Sequence, residues 1–487
     1  MEDITFLIKP KSEILDSINA IFVSKYAVSE SERKESLNKL DTFFNSLSDE
    51  LWAVIEYPYV DKTYRDSYYG YYASKRFEYS RNTIKLSLFS TAIEPSSFRD
   101  KTEIQILEKS YQGFLVVRPT FPKVIGRNVI DKRILKNPNF VACSVNYSST
   151  ANGVKFIANG FPHCSQDSET ITCAETTIWS IMEYFGYKYA EYSPASPLKI
   201  TQMLSKFSYE RLLPSKGLTP EQMSFALKEL GFGVRIYSKK QYEAEFDRIL
   251  KTYVESGIPL IAVMKNDYVG HAITIIGRKL PSPTDYVKLN PSDHIIGKNL
   301  EIKDFSDLDL ELILMDDNHP PYQVAKIDAP SSYYTDKKWE ECKITNIIVP
   351  LYSKIYLEAG EARKISSSFI KNSPRVKDKE LIYKTFLTSS RSFKNEIAFN
   401  NSLASTSKDL LLATSMPKFI WVTELYDNEL AKSDLVAGMI IIDATELKSS
   451  GIIAVILENV YLASRNNSVQ AISIDTKPFL RYQNNLR

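Results

Sequence analysis

Glycine is scarce in this chain, 16 of 487 residues, roughly half the usual share of about 7%. That scarcity excludes collagen-like and glycine-rich low-complexity architectures. Only four cysteines are present, too few for a disulfide framework in a chain this long, and their number fits a reducing compartment. Neither charge dominates: 61 basic residues against 59 acidic leave a net charge of +2. No global pull toward nucleic acid or acidic lipid follows from that balance. The longest apolar run, in GIIAVILENV from Gly451, falls far short of the roughly 20 residues needed to span a bilayer. The opening MEDITFLIKPK starts acidic and develops no basic-then-apolar leader, so a cytoplasmic protein, or one exported without a removable signal, is expected. HExxH, a CxxC pair, a Walker loop, GxSxG and a helix-opening GxGxxG are all missing. With four histidines in all, His163, His271, His294 and His319, any imidazole chemistry must use one of these.

What remains is a chain with 44% hydrophobic and 25% charged residues, enough to build real cores over two to four domains. Residues 29–47 open with Ser29 and Glu32 at capping-box spacing and place Leu37, Leu40, Phe43, Phe44 and Leu47 on one helical face. Residues 62–82 interleave six tyrosines, among them Tyr64, Tyr72 and Tyr79, with Arg65, Lys75, Arg76 and Arg81. Such a segment could stack bases; the balanced overall charge favours an ordinary tyrosine-rich surface instead. GFLVVRP from Gly113 reads as a buried strand stopped by Pro119. Helices follow at 173–186 and 220–230, the second with Thr219 as cap, Pro220 at its first position and Gly231 as terminator. Strands are expected at 258–264, 271–276, 310–316, 346–351, 419–425 and 438–442. Residues 352–396 carry ten Lys/Arg against five Asp/Glu and read as a surface segment, not a binding tail.

Three features carry chemistry. In TCAETTIWSIMEYFG, Ala174, Ile178, Ile181, Met182 and Phe185 recur at helical spacing, and Thr172 with Glu175 has capping-box spacing. With Thr172 as N-cap, Cys173 is the first helical residue, where the positive end of the macrodipole favours a thiolate. In GHAITIIG, His271 opens a strand of β-branched residues. In LELILMDDNHPPY, a strand ends on Asp316 and Asp317 before a Pro-Pro stop. A carboxylate there could orient an imidazole and stabilise its charged form. Each feature alone has an ordinary reading: a small buried hydrophobe, an exposed strand edge, a polar end in a stretch (301–317) with seven carboxylates. The order Cys at a helix start, His at a strand start, Asp at a strand end says more than any one of them. His163, Cys164, Cys173 and His271 are zinc-type ligands without paired spacing, so no metal is expected. His294 and His319 read as loop residues, and Cys143 and Cys342 as structural ones.

The stretch from Gln166 to Asp317 resembles a papain-like cysteine peptidase of the bacterial C39-like type. A glutamine (Gln166) precedes a Cys-Ala pair (Cys173-Ala174) that opens a helix, then come Gly270-His271 and a strand ending in Asp316. GLTPEQMSFALKELGF and SGIPLIAVM resemble the family's intervening helix and its strand before the histidine. The resemblance implies an α+β fold with a papain-like core at 161–350. A mostly helical, mixed region at 1–110, a strand-containing connector at 111–160 and a β-rich region at 351–487 would flank it. It also implies Cys173 as nucleophile, His271 as base and acid, Asp316 as orienter, and Gln166 as oxyanion donor with the Cys173 N–H. Gln166 precedes Cys173 by one residue more than is usual in the family, and Asp317 or Asn318 rivals Asp316. The activity implied is hydrolysis of a peptide or isopeptide bond through a thioester. A peptide or protein is then the substrate, no cofactor is needed, and the flanking regions are free to meet a partner protein. An acyltransferase or transglutaminase-like enzyme on the same fold, or a non-catalytic binding module, stays open.

Overall fold

A computed structural model describes residues 4–167, 169–206, 212, 217–447, 451–465, 468–475, 477–483 and 486. The fold is mixed α+β, 35% helix and 32% strand, with several antiparallel sheets. Among the described residues no helix is long and apolar enough to cross a membrane.

The first sheet runs in the order Thr5–Pro10, Trp52–Tyr59, Thr83–Phe89, Tyr111–Val117, Ile125–Ile130, Pro162–His163, every neighbour antiparallel. Its fourth strand, Tyr111–Val117, is wholly buried because both faces are covered. Leu115 and Val117 meet the core containing Phe22, Leu40 and Phe43. Phe114 and Val116 meet the core containing Phe89 and Phe156. Alternation along a strand sends successive side chains to opposite layers. The first layer is made by helices Lys11–Lys25 and Glu30–Asn45, the latter started by the expected Ser29–Glu32 capping box. The second includes a hairpin, Val145–Ala151 with Val154–Gly160. It turns on Asn152-Gly153, both at positive φ, the Asn-Gly pair that two-residue hairpins favour. The N-terminal region therefore carries its helices against a sheet.

The second sheet runs Phe232–Ser238, Lys343–Tyr352, Leu260–Lys265, Gly270–Lys279, Leu312–Met315, Gln323–Ala325, with Phe140–Ala142 also pairing to Gly270–Lys279. The helix Cys173–Lys188 packs in the same core as Ile261, Ala272, Ile276 and Ile313 from this sheet. It is buried from Ala174 through Phe185 on every side, polar Glu175, Thr177, Ser180 and Glu183 included, so its heptad-like apolar face understates its burial. Helix Pro220–Glu229 starts on Thr219, with Pro220 at its first position, as expected, and Gly231 follows at φ +102°.

The third sheet has eight strands, Asp293–Ile295, Leu300–Asp304, Lys379–Ser389, Phe419–Tyr426, Gly438–Asp443, Ile452–Leu457, Val460–Arg465 and Ser468–Ser473. Its first two strands come from the segment between the second sheet's fourth and fifth strands, so residues 293–304 cross the division expected at 350. His294 accordingly lies in a strand, not a loop. The surface reading of 352–396 holds only in part. Ala359–Asn372 is a helix and Lys379–Ser389 an almost wholly buried strand. Two of its ten cations are satisfied inside: Lys384 Nζ lies 3.0 Å from Glu255, which Arg278 also holds, and Arg363 meets Asp304, while six others are exposed. Buried ion pairs, invisible to a local charge count, draw that part of the segment into the core.

Candidate active site

The local sequence explains how the central helix begins. The Thr172 hydroxyl and backbone N–H both donate to Glu175, completing the capping box, and Cys173 is the first residue of the helix. The loop before it is held from several sides. Asp167 Oδ1 accepts the N–H groups of Glu169, Thr170 and Ile171 at 2.7–2.9 Å. Buried Arg118 donates to the carbonyls of Ser165 (2.6 Å) and Gln166 (3.2 Å) and to Cys164 Sγ (3.7 Å). Tyr64 and Tyr72 of the tyrosine-rich segment are buried, and Lys75 reaches Glu169 at 3.8 Å. Part of that segment thus meets the pre-cysteine loop, while Tyr69 and Phe77 stay exposed.

His271 is the second residue of Gly270–Lys279, and Asp316 directly follows Leu312–Met315. The antiparallel register Thr274↔Met315 brings the chain beyond Met315 alongside His271. His271 Nε2 lies 2.9 Å from Asp316 Oδ1, with both side chains at 3% exposure or less. Asp316 is saturated. Its Oδ1 also accepts the Asn318 N–H (2.9 Å), and its Oδ2 accepts the hydroxyls of Tyr333 (2.8 Å) and Tyr334 (2.7 Å). Trp339 covers the pair, edge-on to His271 at 5.3 Å and stacked on Tyr334 at 4.1 Å. Beneath it, His163 bonds the Asp316 carbonyl at 3.0 Å through Nε2 and Asn128 at 3.0 Å through Nδ1.

The electrostatics follow from burial and this acid. Burial alone lowers His271, but the charge and hydrogen bond of Asp316, with a hydrogen bond to Cys173, outweigh it and hold the imidazole well above its usual value. Burial raises Asp316, and the opposing charge of His271 drives it far below the usual carboxylate range. Asp317 is raised, by burial and then by the neighbouring Asp316, only partly opposed by His271. Burial pushes His163 down to about 4 and keeps it neutral. Cys143 and Cys164 are pushed up to about 11 by burial, and Cys342 is raised for the same reason. Cys173 is the one partly exposed cysteine of the four, all of them free.

Cys173, His271 and Asp316 thus meet in one place. Gln166 joins them through Asn318: its Nε2 donates to Asn318 Oδ1 at 2.6 Å, and Asn318 Nδ2 is 3.4 Å from His271 Nε2. An amide nitrogen carries two protons, so one Gln166 donor is left for another acceptor. Asp317 Oδ1 lies 3.4 Å from His271 Nε2, yet neither carboxylate oxygen has a hydrogen-bonded partner among the described residues. His271, Asp316 and Asp317 could offer three ligand atoms to an ion. The four protein donors on Asp316 make it a hydrogen-bond acceptor here rather than a vacant ligand. His163 and Cys164 stand outside that group, each with its own partners. His319 is partly buried, its ring edge-on to Tyr334 at 4.3 Å.

Sequence reasoning passed over Tyr333, Tyr334, Trp339, Arg118 and Asn128. The one available signal was the aromatic density of SSYYTDKKW shortly after the acidic pair. Two hollows of about 700 and 660 Å³ lie on the third sheet's side of the molecule and touch none of the site residues. No family model matches the chain, and no curated protein is similar to it in sequence.

Proposed function

We propose that the protein is a cysteine hydrolase with a papain-like core at 161–350, cleaving a peptide or isopeptide bond. The observation that carries this reading is the buried His271–Asp316 pair, 2.9 Å apart, with Cys173 at a helix N-terminus favouring the charged imidazole. Asp316 accepts the Nε2 proton, which leaves Nδ1 to take the thiol proton. Cys173 Sγ then attacks the carbonyl carbon. The oxyanion is met by the Cys173 N–H and the remaining Gln166 amide proton. His271 returns its proton to the leaving amine as the C–N bond breaks, giving a thioester. Water, deprotonated by His271, cleaves the thioester and restores the thiol. The four free cysteines fit action in a reducing compartment.

Thiol labelling tests the reading without a known substrate. At about pH 6 an unassisted thiol is almost wholly protonated. Cys173 should nevertheless react with iodoacetamide, read by mass spectrometry of the modified peptides, while Cys143, Cys164 and Cys342 stay unmodified. His271→Ala should abolish the low-pH reaction in protein that remains folded. If alkylation of Cys173 rises only with the titration of an ordinary thiol, near pH 8.5, the activated-nucleophile reading fails.

A further inference from the structure

Between the N-terminal helices and the loop that carries Asp316 lies a cavity of about 220 Å³, room for roughly seven waters at about 30 Å³ each. Gln166, Asp317 and Asn318 form one wall, so a ligand there would sit beside His271, to which Asn318 reaches at 3.4 Å. Lys39, from helix Glu30–Asn45, and Lys123, just before strand Ile125–Ile130, form the other. Asp317 is the unusual member: a side chain 2% exposed, lining a cavity, whose carboxylate faces the His271 ring at 3.4 Å and the Thr176 hydroxyl but makes no full hydrogen bond among the described residues. A buried polar group in that state costs free energy unless something completes it.

We propose that this cavity is a subsite for a carboxylate on the leaving portion of the substrate, held by Lys123 and Lys39 and capped by the Asp317 carboxyl. The proposal rests on the hydrolase reading for which portion occupies it, and it assigns a task to the N-terminal region, whose two lysines supply the charge. Burial lowers Lys123, and the nearby charge of Lys39 lowers it further; an arriving anion would offset both effects. Asp317, raised by burial and by Asp316, can meet a carboxylate as a proton donor instead of repelling it. Lys39 also holds the well-exposed Glu35 at 2.7 Å, so Lys123 is the more telling residue to change. Of the other polar lining groups, the Asn318 amide and the Thr42 hydroxyl can donate to the same oxygens, while the free Gln166 amide proton stays with the oxyanion.

The carboxylate could be an acidic side chain or a free C-terminus, and three probes separate these. N-acetylglutamate α-methylamide carries only the side-chain acid, N-acetylalanine only the terminal one, and N-acetylglutamine α-methylamide neither. Binding is measured by thermal shift and NMR in full-length Cys173→Ala protein, and in the wild type by slowing of iodoacetamide alkylation. At least one acid should bind saturably where the neutral probe does not, and the tighter acid identifies the source. Lys123→Met should weaken that acid by about ten-fold or more, since a hydrogen bond to a charged group contributes about 1.5–3 kcal/mol, while Lys123→Arg retains it. Lys39→Met should weaken it less. Equal binding of acids and neutral probe, or unchanged binding in folded Lys123→Met protein, overturns the subsite. Unreactive Cys173 with charge-selective binding intact would sink the hydrolase reading alone.

Discussion

Replacing Asp316 with Asn removes one charge and little volume, and so measures what holds the imidazole charged. The contact is short, 2.9 Å, and both side chains are essentially dry. With charge centres about 4 Å apart and an effective dielectric near 20, the attraction is about 4 kcal/mol, or roughly three pK units. Burial already works against the imidazolium, so losing the anion leaves desolvation opposed only by the more distant Asp317. The variant should keep Cys173 as a neutral thiol at low pH. An unassisted thiol is roughly 0.3% ionised at pH 6, so alkylation there should fall by about two to three orders of magnitude and recover as the pH approaches 8.5. Turnover, once a substrate is found, should fall by several orders, as in the roughly 10⁴-fold loss for the equivalent change in a serine triad. The assay is the iodoacetamide rate at Cys173 between about pH 5 and pH 9. Asp317→Asn is the control and should leave the low-pH limb nearly in place. An unchanged profile for Asp316→Asn, or a larger shift for Asp317→Asn, refutes the assignment of the third residue.

Acid stability should report on His163. Its pKa is lowered by burial to about 4, so the unfolded chain takes a proton near pH 6.5 that the folded protein refuses. This contribution is complete above about pH 6.5 and is lost as the pH falls toward 4, by up to about 3 kcal/mol. In urea denaturation His163→Gln should be the less stable protein at neutral pH but lose less on acidification; parallel pH dependences would contradict it. The histidine strand makes a steric prediction at its two glycines. A Cβ on Gly277 would lie 2.1 Å from the Val141 carbonyl, whereas one on Gly270 meets nothing within 4 Å. Gly277→Ala should therefore cost roughly 2–3 kcal/mol and Gly270→Ala close to nothing, measured by thermal or urea melts; equal effects would show that the short strand Phe140–Ala142 is not seated against it.

The parts legible in the sequence are those specified within a few residues. The Ser29, Thr172 and Thr219 caps each satisfy orphan N–H groups through a partner three positions on, and each helix starts where its cap says. The strand bearing His271 and the strand before Asp316 are β-branched and aliphatic runs, one opened by Gly270 and the other followed by the acidic pair and a Pro-Pro stop. Legibility ended where partners lie far apart in sequence. Nothing near Lys384 announces Glu255, and nothing near Arg363 announces Asp304, so two cations of a mostly solvated basic stretch sit paired in the core without any local sign. The departure of residues 293–304 to another sheet rests on a parallel pairing of Leu300–Asp304 with Lys379–Ser389, which has no local signature. Tyr333 and Tyr334 were missed for a related reason. A phenol that saturates a carboxylate 17 or 18 residues away resembles any other tyrosine in a loop.

The N-terminal sheet takes part in the candidate site through two strands. Strand Ile125–Ile130 pairs Asn128 directly with His163, and the Asn128 amide donates to His163 Nδ1. That bond selects the tautomer in which Nε2–H points to the Asp316 carbonyl at 3.0 Å. Strand Tyr111–Val117 ends on Arg118, whose guanidinium clamps the carbonyls of Ser165 and Gln166. One strand therefore steadies the backbone of the orienting acid, and its neighbour steadies the loop leading to the cysteine. A catalytic constellation must be held within fractions of an ångström by groups that are themselves locked. Asn128 and Arg118 meet that requirement, at 0% and 3% exposure. Detaching the first 160 residues would strip both supports at once, together with Lys39 and Lys123. The residues before 161 and those after it thus form a single structural unit around the candidate site, although the cysteine, the histidine and the acid all lie on one side of that division.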